Sequence, residues 1–424
     1  MKNRASLFIA LRYLWGKARE SGHYLRGAAT GIAVSLIPII VTLIVADGMI
    51  RGITDRYLEL GTGHLQIFIS FNPGNGGITA DTVSNINGVR GVWREKKTLG
   101  VLAGKDGKTG VTVRAIDTSF WDYPEVNSLL RLIDGKGKPE NERDIVLGEA
   151  LAKNIGARKG DTVRLMTLRN AEGGRLSPGT AAFNVAGIVS CGYSEIDSVW
   201  CVINLEGGKR VLPGDNSSYG LIVKIDDPYN KADEMAWTIY SGTDSSLSVY
   251  TWKELLLSQY SSYMSTRQLL LFIMALIVLV AAVNVSAATG MLALERQKDI
   301  AVLKVTGAGI RGVTGIFLWG SFLTGLAGAI IGISLGLLIA CNINILIRSL
   351  EKLLSFFSHL LKGGDVNILD PGFYLETIPV IIDWTSVFLI GFFTILCSVT
   401  ASYLPARRAG KLKPMELIRK NQLP

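Results

Sequence analysis

The chain has 424 residues, 48% of them hydrophobic but only 8% aromatic, and a mean hydropathy of +0.33. The apolar excess comes from Leu, Ile, Val and Ala, the residues of lipid-facing helices, and it is high for a soluble protein. A net charge of +9 raises nucleic acid as a partner, but its placement excludes it: residues 1–26 and 405–424 carry +5 each, residues 290–312 carry +2, and the rest sums to −3. Basic groups gathered beside apolar stretches follow the positive-inside rule.

Residues 1–26 read as an amphipathic cytoplasmic segment, with Leu7, Phe8, Leu11, Leu14 and Trp15 on one face. The pattern suits a helix lying in the headgroup region or an ordinary packing helix equally. Gly27 to Ala46 is 20 residues without a charge, enough to cross a hydrocarbon core. No small-x-small cleavage site follows, so an uncleaved first span is expected over 27–49, kinked at Pro38. From 50 to 266 short β-rich runs alternate with Gly, Asn and Asp turns, and Lys105-Asp106-Gly107-Lys108 reads as a hairpin turn. Helical stretches are expected near Glu149–Ile155 and Trp252–Tyr263.

Three more apolar segments predict spans over 267–291, 313–346 and 387–404. They leave a cytoplasmic segment at 292–312, an outer loop at 347–386 and a cytoplasmic tail at 405–424. The third span carries Gly320, Thr324, Gly328, Gly332 and Gly336 at four-residue spacing, which lets another helix approach closely. The predicted fold class is therefore membrane α-helical, four transmembrane helices with a large extracytoplasmic α+β domain inserted between the first and second. Both termini are expected in the cytoplasm.

Catalytic signals are weak. His23, His64 and His359 are scattered without metal-ligand spacing. Gly107-Lys108-Thr109 resembles the end of a phosphate loop, but Leu102 stands where its first glycine belongs. Cys191 and Cys201 flank a strand connection, and spacing leaves a disulfide between them open. The spans lack the carboxylate chain or basic ladder of an ion pathway. Asn284 is the notable polar residue well inside a span, and an interhelical hydrogen bond is its expected role.

The segment after the second span reads Leu294-Glu295-Arg296-Gln297-Lys298-Asp299-Ile300-Ala301-Val302-Leu303-Lys304-Val305-Thr306-Gly307-Ala308. Mixed charge followed by apolar residues at helical spacing, with Gly307 to end it, predicts a short amphipathic helix facing a partner. The string Glu-Arg-x-x-Asp-Ile-Ala-Val-Leu-Lys-x-x-Gly-Ala resembles the coupling helix of the MacB/FtsX superfamily of ABC transporter permeases, and within it the lipoprotein-releasing LolC/LolE family. Further matching segments run nearly end to end. They include Phe8 to Leu14, Val146 to Ala152, Gly160 to Val163, Phe183 to Ile188, Asp226-Asp227-Pro228, Ala275 to Asn284, Ile378-Pro379-Val380, Asp383-Trp384 and Leu404 to Ala409.

The resemblance implies a non-enzymatic permease subunit in the bacterial inner membrane. Two permease subunits, identical or paralogous, would pair with a dimer of a cytoplasmic ABC ATPase. The chain has no nucleotide-binding motif, so ATP and Mg would be bound by that partner and no cofactor by this chain. The complex would release acylated lipoproteins from the membrane and pass them to a periplasmic lipoprotein carrier. The alternative is a mechanotransmitting permease that drives a periplasmic partner, in efflux or cell-wall control, without moving lipoprotein. By position, Glu295, Arg296, Asp299, Ile300, Leu303 and Lys304 match the ATPase-docking helix. The stretch Arg169 to Ala182, with Arg175 and Pro178, lies where one branch of the family carries a carrier-binding hook, and its Gly and Ser content is equally that of a flexible loop. A lipid cavity would lie near Met49, Ile50, Leu269 and Ile273, residues that serve equally as packing or lipid-facing positions.

Overall fold

A computed structural model describes residues 8, 10, 22–69, 80–170, 176–208, 211–212, 219–242, 247–360, 375 and 377–412. The amphipathic segment expected over 1–26 lies almost wholly outside them. The chain divides into a membrane unit (Met1–Gly48, Met264–Phe357 and Pro379–Pro424) and a head unit (Met49–Tyr263 and Ser358–Ile378).

Four helices are long and apolar enough to cross a membrane: Gly22–Arg56, Leu257–Glu295, Ile310–Cys341 and Trp384–Lys411. All but the third outrun the predicted spans at both ends. Charge-free windows mark what a bilayer core requires, whereas backbone hydrogen bonding continues through charged turns such as Arg51 to Arg56. The first helix runs through Pro38 without interruption. The third differs in the other sense: it stops at Cys341, short of the expected residue 346. Asn342 turns the chain there, its amide donating to the Leu338 carbonyl at 2.9 Å. A second helix, Ile343–Leu360, then occupies much of what was expected to be loop. It exposes Ile345, Leu346, Leu350, Leu353 and Phe356 beside Arg348 and Lys352, a pattern suited to a membrane interface.

The core of the membrane unit joins Ile32, Leu36 and Ile40 of the first span to Met274 and Val278 of the second and Ile390 of the fourth. The glycine stripe does what its spacing predicts, and its partner is the first span. A Cβ on Gly328 would stand 2.8 Å from the Ala29 carbonyl oxygen, one on Gly332 2.8 Å from Leu36 Cβ, and one on Gly336 2.8 Å from Ile40 Cβ. Backbone on that side cannot give way as a flexible side-chain tip can. Gly332→Ala is therefore expected to destabilise by about 1–3 kcal/mol, read as thermal unfolding of the full-length protein in detergent. Gly315→Ala, where a Cβ meets nothing within 4 Å, should leave that transition unchanged or raise it.

The expected interhelical hydrogen bond forms between other residues. Thr289 of the second span bonds Ser321 of the third at 3.0 Å and Ser402 of the fourth at 3.3 Å, all three buried. Asn284 is exposed and makes no hydrogen bond among the described residues.

The head unit is α+β. Its strands are β1 (Leu65–Ile69), β2 (Val89–Ala103), β3 (Lys108–Ile116), β4 (Arg131–Gly135), β5 (Asp144–Gly148), β6 (Thr162–Asn170), β7 (Leu176–Ser190), β8 (Trp200–Asn204), β9 (Tyr219–Ile225) and β10 (Leu247–Thr251). Pairing runs β2–β3–β8–β5–β7–β6 and back to β2, closing six strands into a ring. Leu102, Val113, Ile145, Val163, Phe183 and Cys201 are among the residues of its core. Closure removes exposed edges, and alternation along each strand turns one face inward. The other end of β2 joins an open sheet, β10–β1–β9–β2, on which the helix Ala232–Ser241 packs through Ile239. The hairpin expected at Lys105–Lys108 joins β2 to β3, so the phosphate-loop likeness has a turn as its structure. Cys191 and Cys201 are free thiols in different core clusters, and burial pushes both above their ordinary pKa.

Candidate functional site

Three places stand out, and the first and third carry predicted site residues. The first is the connection between the second and third spans. The second span ends at Glu295, Arg296 turns the chain, and a helix of nine residues, Gln297–Val305, follows. It ends at Gly307, whose φ of 97° lies in the left-handed region that favours glycine. Ile300 is 1% exposed and packs with Leu25, Leu292, Val313, Phe317 and Ala406, residues drawn from all four spans. Lys304 Nζ donates to the Leu412 carbonyl at 2.6 Å, just past the end of the fourth span. Arg296 and Asp299 pair at 3.1 Å. The helix is thus fixed to the spans on one side.

The six residues predicted to dock a partner therefore separate. Glu295 faces out, Arg296, Asp299 and Leu303 are half-buried, and Lys304 is occupied by a carbonyl. Ile300 is turned inward, so it anchors the helix and does not present itself to a partner. The outward apolar surface belongs to Val302 and Val305, 63% and 72% exposed, which the sequence reading passed over. Their signal was available: they lie on the opposite side of the helical period from Ile300.

The second place is where the first long helix enters the head unit. After Arg56 the chain makes one π-helical turn, Tyr57–Thr62. Glu59 reaches His64 Nε2 at 2.8 Å and Lys224 Nζ at 2.5 Å. Lys224 is fully buried and stands 4.5 Å over the Tyr123 ring. Burial holds its ammonium below the ordinary lysine pKa against the opposing pull of Glu59. Beside it Arg114 on β3 pairs with Glu95 on β2, each 1% exposed, and donates to the Leu60 carbonyl of the π turn. Gln66 donates to the other Glu95 oxygen at 3.2 Å. A buried ion pair and a second one whose Glu59 is half-buried thus clamp that turn to β2, β3 and β9, with β1 joined through Gln66. His64, one of three scattered histidines in the sequence, is part of this network.

The third place is the stretch Arg169–Ala182. Its described residues, 169–170 and 176–182, are strand: Arg169 lies opposite Ser177 and Asn170 opposite Leu176 across the β6–β7 ladder. Arg175 falls outside the described residues. Pro178 is exposed, opposite Leu168. Next to it Val101 faces Met166 across β2 and β6, and Leu99 and Leu168 are 77% and 59% exposed. These form an apolar sheet face that the loop reading did not anticipate.

Of the residues expected near lipid, Leu269 and Ile273 are 61% and 43% exposed on the second span, while Met49 and Ile50 are half-buried on the first helix. Two residues before Leu269, Arg267 forms a bidentate pair with Asp47 at 2.8 and 3.2 Å. Its guanidinium also reaches Asp383 at 3.5 Å, and Asp383 caps the fourth span by accepting from the Thr385 amide. One arginine thus ties the first, second and fourth spans.

Residues 27–236 match the MacB-like periplasmic core domain and residues 271–414 the FtsX-like permease C-terminal domain. The lipoprotein-releasing system transmembrane protein LolC of Neisseria meningitidis serogroup B is 26% identical, over 97% of this chain and 98% of that protein. Its counterpart LolE of Haemophilus influenzae is 24% identical, also over 97% of this chain and 98% of its own length. The periplasmic region of MacB from Actinobacillus actinomycetemcomitans covers 49% of this chain and 95% of its own at 19% identity, with a TM-score of 0.31. The two domain matches follow one another in the order of the head unit and the last three spans, and the LolC and LolE matches run from end to end. On those sequence matches the chain belongs to the MacB/FtsX superfamily of ABC transporter permeases, an inner-membrane protein with its α+β periplasmic domain inserted between the first and second spans and the LolC/LolE permeases as full-length relatives.

Proposed function

We propose that this chain is the permease subunit of a transporter that releases acylated lipoproteins from the inner membrane and hands them to a periplasmic carrier. The end-to-end likeness to lipoprotein-releasing permeases carries this reading. The geometry supports it at both ends. The helix Gln297–Val305 is held to the spans by Ile300 and Lys304 and leaves Val302, Val305 and Glu295 free for a cytoplasmic ABC ATPase, which binds ATP and Mg. The clamped π turn suits transmission of helix motion into the head. Each buried lipid CH₂ is worth about 0.8 kcal/mol, so extracting a multiply acylated anchor requires an energy source of this kind. The apolar face around Leu99, Val101, Met166, Leu168 and Pro178 suits a carrier that itself binds acyl chains. Leu269 and Ile273 suit contact with the acyl chains inside the membrane.

Depleting the chain separates this reading from force transmission without lipid transport. Acylated lipoproteins are expected to accumulate in the inner membrane, measured by fractionation and acyl labelling. Unchanged lipoprotein sorting, together with a defect in efflux or cell-wall remodelling, would leave the mechanotransmitting reading instead.

A further inference from the structure

The helix Ile343–Leu360 begins just past the third span, after the turn at Asn342. Leu346, Leu350, Leu353 and Leu354 recur on one side of it at helical spacing, and all four are exposed. Arg348 and Lys352, one turn apart, take the opposite side and are exposed too. Neither makes an ion pair or side-chain hydrogen bond among the described residues, whereas Glu351 between them is half-buried and has a partner. The described chain thus covers neither the leucines nor the two charges.

The height of this helix in the membrane follows from the glycine stripe. Gly328 meets Ala29 and Ile32, Gly332 meets Ala33 and Leu36, and Gly336 meets Ile40. The first and third spans therefore run parallel and in step. Carrying that register onward sets Ala340 beside Ile44, both buried in one core cluster, and Ile343 level with Asp47. Asp47 holds Arg267, which also reaches Asp383, and the neighbouring Trp384 is exposed. Charged groups and an exposed tryptophan gathered at one height mark a headgroup layer. The head unit begins at Met49, directly after this level of the first span, so the layer is the periplasmic one. Basic residues are depleted from short segments on that side, so Arg348 and Lys352 run against the charge rule.

We propose that Ile343–Leu360 is a binding element for anionic phospholipid in the periplasmic leaflet of the inner membrane. The helix lies along the surface with Leu346, Leu350, Leu353 and Leu354 in the acyl boundary. Arg348 and Lys352 then stand at the level of the phosphates and bind them. Lipid is the occupant because the helix starts at the headgroup layer, where apolar chains lie on one side and phosphates on the other. The helix leaves the third span at that height, so bound lipid is held beside the span. The inference concerns this helix alone and does not depend on what the transporter moves.

The experiment uses the full-length protein in nanodiscs of equimolar phosphatidylglycerol and phosphatidylcholine. An NBD fluorophore is attached at Leu350→Cys, with Cys341→Ala and Cys397→Ala as background. Nitroxide-bearing acyl chains are expected to quench it, and more strongly when carried by phosphatidylglycerol than by phosphatidylcholine. Arg348→Gln and Lys352→Gln should each lower that preference about 5-fold, the worth of one basic residue near a charged surface, while total quenching stays the same. A label at Leu389→Cys, exposed on the fourth span, should be quenched equally by both lipids. Equal quenching at Leu350→Cys, or a preference that survives loss of both charges, would overturn the phosphate assignment. A label reached by aqueous iodide, or shielded from both iodide and nitroxide by protein, would overturn the placement. None of these readouts involves lipoprotein release, so failure of the transport reading leaves them unaffected.

Discussion

Replacing Arg114 with alanine is expected to destabilise the head by about 3–5 kcal/mol, the usual cost of stranding one member of a buried ion pair. Arg114 and Glu95 are each 1% exposed, so neither can turn to water when its partner is lost. The substitution strands the Glu95 carboxylate, with Gln66 alone left at 3.2 Å, and removes a donor from the Leu60 carbonyl. For a unit of this size the loss corresponds to a fall of about 6–20 °C in the head's melting transition, measured by calorimetry of the full-length protein in detergent. The double change Glu95→Leu with Arg114→Met should recover most of the stability, because an apolar pair of similar volume removes the desolvation cost along with the attraction. It should not recover function to the same extent. The π turn would then lose the Arg114 bond to Leu60 and keep only the bonds of Glu59 to Lys224 and His64 from this network, and ATP-dependent release should fall while ATP hydrolysis continues. A single-mutant loss below about 1 kcal/mol would mean that the pair is hydrated and clamps nothing.

The contrast between spans and clamp shows what a sequence discloses. Spans announce themselves because a bilayer demands some 20 apolar residues in a row, and a stripe such as Gly328, Gly332 and Gly336 announces close packing because spacing fixes the helix face. What the stripe packs against is not written in it, since that depends on which span folds beside it. The clamp was legible only in part. Arg114 interrupts the apolar run Val111–Ile116, Lys224 interrupts Leu221–Ile225, and Glu59 sits between Leu58 and Leu60. A lone charge inside a buried strand pattern signals a buried partner, but the partners come from elements 19 to 165 residues away in sequence. Asn284 misled for a related reason. Its position promised an interhelical bond, and the described structure assigns that bond to Thr289, whose hydroxyl looked unremarkable in sequence. The stretch Arg169–Ala182 was open in sequence between a hook and a loop because Gly173, Gly174, Ser177, Pro178 and Gly179 suit either, and strand pairing across β6 and β7 that holds both arms was not legible in it.

At the inner end, Val302→Glu combined with Val305→Glu is expected to abolish both co-purification of the ATPase and ATP-dependent lipoprotein release. Burying two valines at an interface is worth about 3–6 kcal/mol, so their loss alone weakens association about 100-fold or more, and two unpaired carboxylates add a desolvation cost. Because both side chains point away from the spans, the fold of the membrane unit should survive, which its unfolding temperature in detergent would record. Charge reversal at Lys304 is a less selective test. It breaks the 2.6 Å bond to the Leu412 carbonyl and so loosens the helix from the fourth span as well as altering the surface. Glu295→Lys acts at an exposed rim charge, where the effect should be small and salt-dependent. Ile300→Ala should behave in the opposite way to the valine pair: about 2–5 kcal/mol of lost packing, lower yield, and an ATPase that still binds whatever protein remains folded. If the valine pair retains the ATPase while Ile300→Ala releases it from a folded permease, the docking surface is the face now packed against the spans, and the helix must rotate out of its core to couple.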